Sequence, residues 1–121
     1  MTIKSPHERL AFRRLRTRRK VFGTAVRPRL SVYRAQRHMY AQLVDDVAGK
    51  TLVSVSSLME DLKKTLKTGA NVEAAQKVGQ SIGEKAKALK IEQVVFDRGG
   101  RAYHGRIKAV AEGARAAGLI F

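Results

Sequence analysis

A run of positive charge near the amino terminus restricts the fold of this chain more than any other feature of its sequence. Between Arg9 and Lys20, seven of twelve positions are Lys or Arg and none is acidic. The first 40 positions hold twelve of the chain's 25 Lys and Arg residues against one acid, Glu8, which gives them a net charge of +11. A folded chain gains no stability from such self-repulsion, so the density indicates that a polyanion supplies the missing negative charge. Nucleic acid is the commonest such polyanion, and it would bind mainly through its phosphates.

The whole chain has the composition of one small globular domain. Its 121 residues suffice for a single core, and a hydrophobic content of 44% is too high for a fully disordered basic tail. The absence of Cys excludes a disulfide framework and a thiolate metal site, and it is compatible with a reducing, cytosolic setting. No segment approaches the roughly 20 apolar residues of a membrane span, and the charged amino terminus does not match a secretory signal.

The basic run is predicted to be a helix with a thin apolar face. Ser5 suits the N-cap, Pro6 suits the first helical position, and Glu8 completes a capping box. The apolar stripe of this helix consists only of Leu10, Ala11 and Leu15. Such a helix packs weakly on its own domain, and we expect it to order fully on its ligand.

A linker and a globular domain are predicted to follow. The segment Val21–Pro28 contains a glycine and ends in a proline, which is typical of a linker. Residues 1–27 are therefore expected to form the basic arm with its linker, and residues 28–121 a globular RNA-binding domain.

Apolar residues recur with a period of two from Arg29 onward. Short strands are predicted at Arg29–Arg34, Met39–Asp45 and Thr51–Ser56, joined by short turns. Three such strands indicate an antiparallel meander.

Helical periodicity returns in the second half of the chain. Asn71 is placed to cap a helix, Gln93–Asp97 is a continuous apolar strand, and a last helix runs from about Gly105 to Ala117. The inward residues of the two helices are Val72, Ala75, Val78, Ile82, Ala86 and Leu89 in the first and Ile107, Val110, Ala111 and Ala114 in the second. Gly118 is placed to end the last helix. The segment Ser57–Gly69 fits a short helix or a loop.

These elements predict an α/β fold with a small mixed sheet. Three antiparallel strands are joined by one parallel strand through a helical crossover, which is expected to be right-handed. Two helices then cover one face, and the basic helical arm lies outside. The other face is expected to be more polar and less covered, and it carries Ser31, Tyr33, Tyr40, Gln42 and Ser54.

Few residues suit catalysis or a metal. Three aspartates lie at predicted strand ends, as the metal-binding acids of some nucleases do: Asp45, Asp46 and Asp97. Two-metal catalysis needs several converging carboxylates, however, and the first strand offers no acid. Turn caps and solvated strand ends explain these aspartates better. The three histidines have no partner at metal-ligand spacing; they are His7, His38 and His104. No metal and no cofactor are expected.

Arginine and aromatic residues recur together at two further places. One is the first hairpin, and the other is the segment after the last strand. The two glycines in Asp97–Gly100 are expected to form a tight turn there, rather than a phosphate-binding loop for a nucleotide. Arginine with interleaved aromatics suits RNA, whose phosphates need cations and whose splayed bases need flat partners. A third RNA contact and a solvated helix face explain three further lysines equally well; these are Lys63, Lys64 and Lys67. The predicted RNA contacts are Arg9, Arg13, Arg14, Arg16, Arg18, Arg19, Lys20, Arg27, Arg29, Arg34, Arg37, His38, Tyr40, Arg98, Arg101, Tyr103, His104 and Arg106.

Two long strings carry a resemblance to a known family. They are RPRLSVYRAQRHMYAQLVDD at Arg27–Asp46 and VVFDRGGRAYHGRIKAVAEGARAAGL at Val94–Leu119. With the basic arm and the helix Asn71–Ala86, they resemble the bacterial large-subunit ribosomal proteins numbered eighteen. Two positions depart from the family pattern: Lys90, where relatives often have glycine, and Met39, where they often have isoleucine.

This resemblance implies a structural, non-enzymatic protein of the cytoplasmic ribosome. Its expected partners are 5S rRNA, 23S rRNA and neighbouring 5S-binding ribosomal proteins in the central protuberance, with no membrane and no small-molecule substrate. Two other functions stay open from the residues alone: a small metal-dependent nuclease, and binding of the basic helix to anionic membranes. The missing first-strand acid argues against the nuclease. The thin apolar stripe and the absence of Trp argue against membrane insertion.

Overall fold

The chain folds as a mixed α/β structure in a computed structural model that describes residues 6–57, 72–98 and 103–121. These residues contain three helices and four strands. In chain order they are α1 (Pro6–Lys20), β1 (Arg29–Arg34), β2 (Met39–Asp45), β3 (Lys50–Ser56), α2 (Val72–Ala88), β4 (Val95–Asp97) and α3 (Arg106–Ala116). The predicted order of elements is confirmed. Ser5, Asn71 and most of the ambiguous segment Ser57–Gly69 lie outside the described residues.

The four strands form one mixed sheet in the order β3-β2-β1-β4. Strands β1, β2 and β3 pair as an antiparallel meander, in which Leu30 lies opposite Leu43. β4 pairs parallel with β1, and Phe96 lies opposite Leu30. The connection from β3 therefore passes over two strands before it joins the far edge. The predicted parallel strand is confirmed, but its regular part is shorter than expected and begins at Val95.

The core lies between one face of the sheet and helices α2 and α3, as predicted. Alternate residues of the strands, such as Leu30, Val32 and Leu43, are buried against the helices. All four residues predicted to face inward on α3 are buried. On α2 the predicted face is confirmed in its middle, but Val72 and Leu89 at its ends are about half exposed. The end turns of α2 therefore extend past the sheet.

Glycines let α2 and α3 approach each other closely. A Cβ atom on Gly79 would overlap the carbonyl oxygen of Val110, and one on Gly113 would overlap the carbonyl oxygen of Gln76. Small side chains at the contact allow the two backbones to touch, which fixes the spacing of the helices over the sheet. Periodicity alone marks these positions only as part of a buried face.

Helices α2 and α3 end in the same hydrogen-bonded motif. After α2, the Ile91 N–H donates to the Ala86 carbonyl at 2.9 Å and the Lys90 N–H donates to the Lys87 carbonyl at 2.9 Å. This is a Schellman motif, whose central residue adopts a left-handed conformation. Lys90 has a φ of 62°, and Gly118 occupies the same position after α3 with a φ of 108°. Gly118 ends the last helix as predicted.

The segment Val21–Pro28 is attached to the sheet rather than being a free linker. Gly23 and Pro28 are buried. The Asp46 N–H donates to the Gly23 carbonyl at 2.9 Å, and the Gly23 N–H donates to the Asp46 carboxylate at 2.8 Å. This reciprocal pair holds the base of the arm to the end of β2.

Candidate nucleic-acid interface

Helix α1 presents a row of arginines to solvent. Arg9, Arg13 and Arg16 are exposed and Arg14 is half-buried. Its apolar residues stay largely outside the core: Leu15 is 64% exposed and Leu10 is only half-buried. A helix of 15 residues is about 22 Å long, so these cations can follow several consecutive phosphates. The predicted basic contacts Arg18, Arg19 and Lys20 form the last turn of this helix.

The arm meets the globular domain at the first hairpin. The Arg14 guanidinium lies 6.0 Å from the centroid of the Tyr33 ring, within the range of a cation–π contact. Arg27 is exposed at the base of the arm. There the Thr24 N–H donates to the Arg27 carbonyl, and the Arg27 N–H donates to the Thr24 Oγ1. The basic arm and the hairpin therefore form adjacent parts of one surface.

The tip of the β1–β2 hairpin holds cationic and aromatic groups on a rigid turn. Arg34 and Arg37 are exposed, and the Ala35 N–H donates to the His38 carbonyl at 3.0 Å to close the turn. The His38 Nδ1 lies 3.0 Å from the Ser57 hydroxyl, which also accepts the Met39 N–H. The His38 ring is thus oriented by the protein.

Arg106 brings the second predicted cluster to the same hairpin. Its guanidinium donates to the Ala35 carbonyl at 3.1 Å, across 71 positions of sequence. Burial, and then the nearby charge of Arg34, lowers the pKa of Arg106. Two like charges held beside each other favour an anion near both of them. Arg106 of the second predicted cluster therefore meets Arg34 of the first, at what we call the hairpin–helix corner, formed by Arg34, Ala35 and Arg106.

An aromatic cluster extends from this corner toward the carboxyl terminus. Tyr103 packs edge-on against Phe96 at 6.0 Å, and its hydroxyl accepts a hydrogen bond from Arg115 at 3.0 Å. The Arg115 guanidinium lies 4.4 Å from the centroid of the Phe121 ring. Sequence reasoning missed Arg115, because helical spacing shows only that it is exposed. Arg98 and His104 are exposed as predicted RNA contacts should be, and Arg101 lies outside the described residues.

Among the predicted contacts whose side chains the structure describes, Arg29 is buried rather than at the surface. It is 7% exposed, and its guanidinium donates to Asp97 at 2.8 Å and to both carboxylate oxygens of Asp46 at 3.0 and 3.2 Å. Burial opposes its charge, but the hydrogen bonds and charges of the two aspartates outweigh burial and raise the pKa of Arg29. The donors of Arg29 therefore point into the protein, where Asp46 and Asp97 accept them, and Arg29 has a role in the fold.

The three candidate acids have structural partners. Asp45 accepts the Val47 and Ala48 N–H groups at 3.0 and 3.3 Å, which confirms the turn-cap interpretation. Asp46 and Asp97 are not solvated strand ends, since both bind Arg29. Within the described ranges, no three His, Asp or Glu residues are grouped as a metal would need. None of the helices described is long and apolar enough to cross a bilayer.

Comparison with known proteins gives matches over nearly the whole length. The model of the family described as ribosomal L18 of archaea, bacteria, mitochondria and chloroplasts matches residues 4–121. Large ribosomal subunit protein uL18 of Anaeromyxobacter sp. (strain K) is 59% identical over 109 residues, which cover 90% of this chain and 92% of that protein. The uL18 protein of Thermotoga neapolitana is 54% identical over 117 residues, covering 97% and 96%. That of Clostridium botulinum is 58% identical over 109 residues, covering 90% and 89%.

Proposed function

The chain belongs to the ribosomal L18 family, and from this premise we propose that it binds 5S rRNA and helps to attach it to 23S rRNA in the central protuberance. As a member of this family it is a structural, non-enzymatic protein of the large ribosomal subunit. It acts in the cytoplasmic ribosome, beside other 5S-binding ribosomal proteins. The proposal concerns which RNA each surface binds.

The hairpin–helix corner is the observation that carries the proposal. Arg106 comes from a distant part of the chain, and its hydrogen bond to the Ala35 carbonyl holds its guanidinium at the hairpin, near Arg34. Guanidinium groups bind phosphate oxygens in fixed directions. A cation that is held in place beside a second one can recognise the shape of an RNA, whereas exposed cations along a helix contribute mainly charge.

The arm and the globular domain have different roles in RNA binding. The arm follows phosphates and reaches toward 23S rRNA, while the globular domain selects 5S rRNA. The proposed contacts of the arm are Arg9, Arg13, Arg14, Arg16, Arg18, Arg19, Lys20 and Arg27. Those of the globular domain are Arg34, Arg37, His38, Tyr40, Arg98, Arg101, Tyr103, His104 and Arg106.

A footprint on 5S rRNA tests the proposal directly. The protein is added to 5S rRNA and to an unrelated structured RNA of similar length, and backbone protection and affinity are measured for both. We expect a localised footprint and tighter binding on 5S rRNA only. Equal affinity for the two RNAs, with diffuse protection, would show that binding is electrostatic alone and would contradict the proposal.

A further inference from the structure

The open face of the sheet carries a groove that the proposed phosphate contacts leave largely unused. Two rows of side chains cross the strands on this face: Tyr33, Tyr40 and Ser56 in one, and Ser31, Gln42 and Ser54 in the other. Together they line a groove of about 560 Å³. That volume lies within the range of sites for small organic groups, about 300–1,000 Å³.

The tyrosine row forms a partly exposed aromatic surface. The Tyr33 and Tyr40 ring centroids are 5.8 Å apart with the rings tilted by 48°. Tyr33 is 53% exposed and Tyr40 is half-buried. In the second row, the Gln42 and Ser54 side chains are exposed beside the rings. A flat group placed on the tyrosines therefore has hydrogen-bonding side chains at its edge.

The chemistry of the groove differs from that of its rim. Among the residues that the structure describes, no side chain lining the groove is charged, so these side chains offer no partner for a phosphate. The Arg14 guanidinium lies at its edge, near Tyr33, with the other arginines of α1 along the same helix. An uncharged aromatic groove beside a row of cations matches one nucleotide: its base enters the groove and its phosphate stays at the rim.

We propose that this groove binds an unpaired base of 5S rRNA, stacked on Tyr33 and Tyr40 with its edge facing Gln42. The inference rests on the proposed function, since it specifies how the same chain holds its RNA. A base in a duplex cannot reach the groove, because both of its faces are already stacked. The groove therefore selects a loop, a bulge or an end, and it adds a base contact to the phosphate contacts of the arm.

Proton NMR of the full chain tests the stacking. The chain has three tyrosines and no Trp, so protein labelled at the tyrosine rings gives few signals, and Tyr→Phe variants assign them. On addition of 5S rRNA we expect the ring protons of Tyr33 and Tyr40 to move upfield, as stacking against a base requires. A phosphate contact does not produce this ring-current shift.

Binding measurements on variants provide the second arm of the test. Tyr33→Ala should weaken 5S binding roughly tenfold without changing its dependence on salt, whereas Tyr33→Phe, which keeps the ring, should bind like the unaltered chain. Arg14→Ala is the matched control at the rim, and it should lower the salt slope by about one. Thermal melts check that each variant is folded.

The outcomes separate this inference from the function on which it rests. If the unaltered chain does not bind 5S rRNA, the proposed function fails and the inference fails with it. If the chain binds 5S rRNA but the Tyr33 and Tyr40 signals do not move upfield, the inference alone is overturned. Equal affinity of Tyr33→Ala and the unaltered chain would also overturn it.

Discussion

Single residues in this protein have different roles according to their partners, not their type. Arg27 and Arg29 are two positions apart, yet Arg27 is exposed and Arg29 is buried between Asp46 and Asp97. Bidentate contact with Asp46 gives Arg29 the planar geometry in which guanidinium groups bind carboxylates best. Arg29 therefore joins β1, β4 and the base of the arm.

Replacement of Arg29 should destabilise the fold strongly. Arg29→Ala leaves two carboxylates in a buried position without their cation, which costs about 3–5 kcal/mol in the free energy of unfolding. Arg27→Ala is the matched control and should change that free energy by less than about 0.5 kcal/mol. Urea unfolding followed by circular dichroism measures both. Equal stability of the two variants would contradict the structural role of Arg29.

The left-handed residue after α2 offers a gain in stability. Lys90 has a Cβ atom in a conformation that favours glycine. Lys90→Gly removes that strain at the expense of greater freedom in the unfolded chain, and a net stabilisation of about 0.5–1 kcal/mol is expected.

The equivalent position after α3 supplies the control. Gly118→Ala should destabilise the protein, because it introduces the strain that Lys90 already bears and places a Cβ atom against the Lys87 side chain. Thermal melts of the two variants should shift in opposite directions. A lower melting temperature for Lys90→Gly would show that the lysine side chain stabilises this turn more than its backbone strain costs.

Selectivity should depend on the hairpin–helix corner. Arg106→Ala is expected to reduce 5S rRNA affinity by about 1–3 kcal/mol and to reduce affinity for an unrelated structured RNA less. Arg14→Ala should weaken binding to both RNAs about equally, because it contributes mainly charge. A competition assay with both RNAs measures the preference. A change of preference in Arg14→Ala alone would place selectivity in the arm.

At the scale of elements, the decisive contrast is between helices with and without a buried face. Helices α2 and α3 bury continuous apolar faces and approach closely at Gly79 and Gly113. Helix α1 has no buried residue among its described side chains. Its described arginines Arg9, Arg13 and Arg16 are exposed, while the other two helices pack against the sheet.

Removal of the arm should separate affinity from folding. Deletion of residues 1–20 leaves every strand, both core helices and the Gly23–Asp46 pair, so the remaining chain should still unfold cooperatively. It should bind 5S rRNA more weakly, with a shallower dependence on salt. Circular dichroism melts and filter binding test the two expectations. Loss of the melting transition would mean that α1 contributes to the fold.

At the scale of the whole molecule, we expect charge to dominate association with RNA. The net charge is +15, and the basic arm meets the first hairpin through the contact of Arg14 with Tyr33. If roughly 6–10 phosphates are neutralised, log K should fall with log salt with a slope of about −5 to −9. A filter-binding titration between low and physiological salt measures this slope. A value near −1 would exclude the arm as a main contributor.

The sequence by itself determined the types and order of the elements, the exposed basic helix and the polar face of the sheet. These follow from local patterns: the period of two in β1 to β3, the helical period in α2 and α3, and the thin apolar stripe of α1. The glycine that relatives often have at the position of Lys90 belongs to the family resemblance and not to these local patterns. The family resemblance adds the identity of the expected RNA.

Only the tertiary structure decided which charged groups are free and which are brought together. The neighbours of Arg29 in the sequence give no sign that it is buried. Its partners Asp46 and Asp97 lie 17 and 68 positions away. The meeting of Arg106 with the hairpin spans 71 positions, and the attachment of Gly23 to Asp46 spans 23. Burial and ion pairing depend on the full three-dimensional surroundings of a side chain, which no local period encodes.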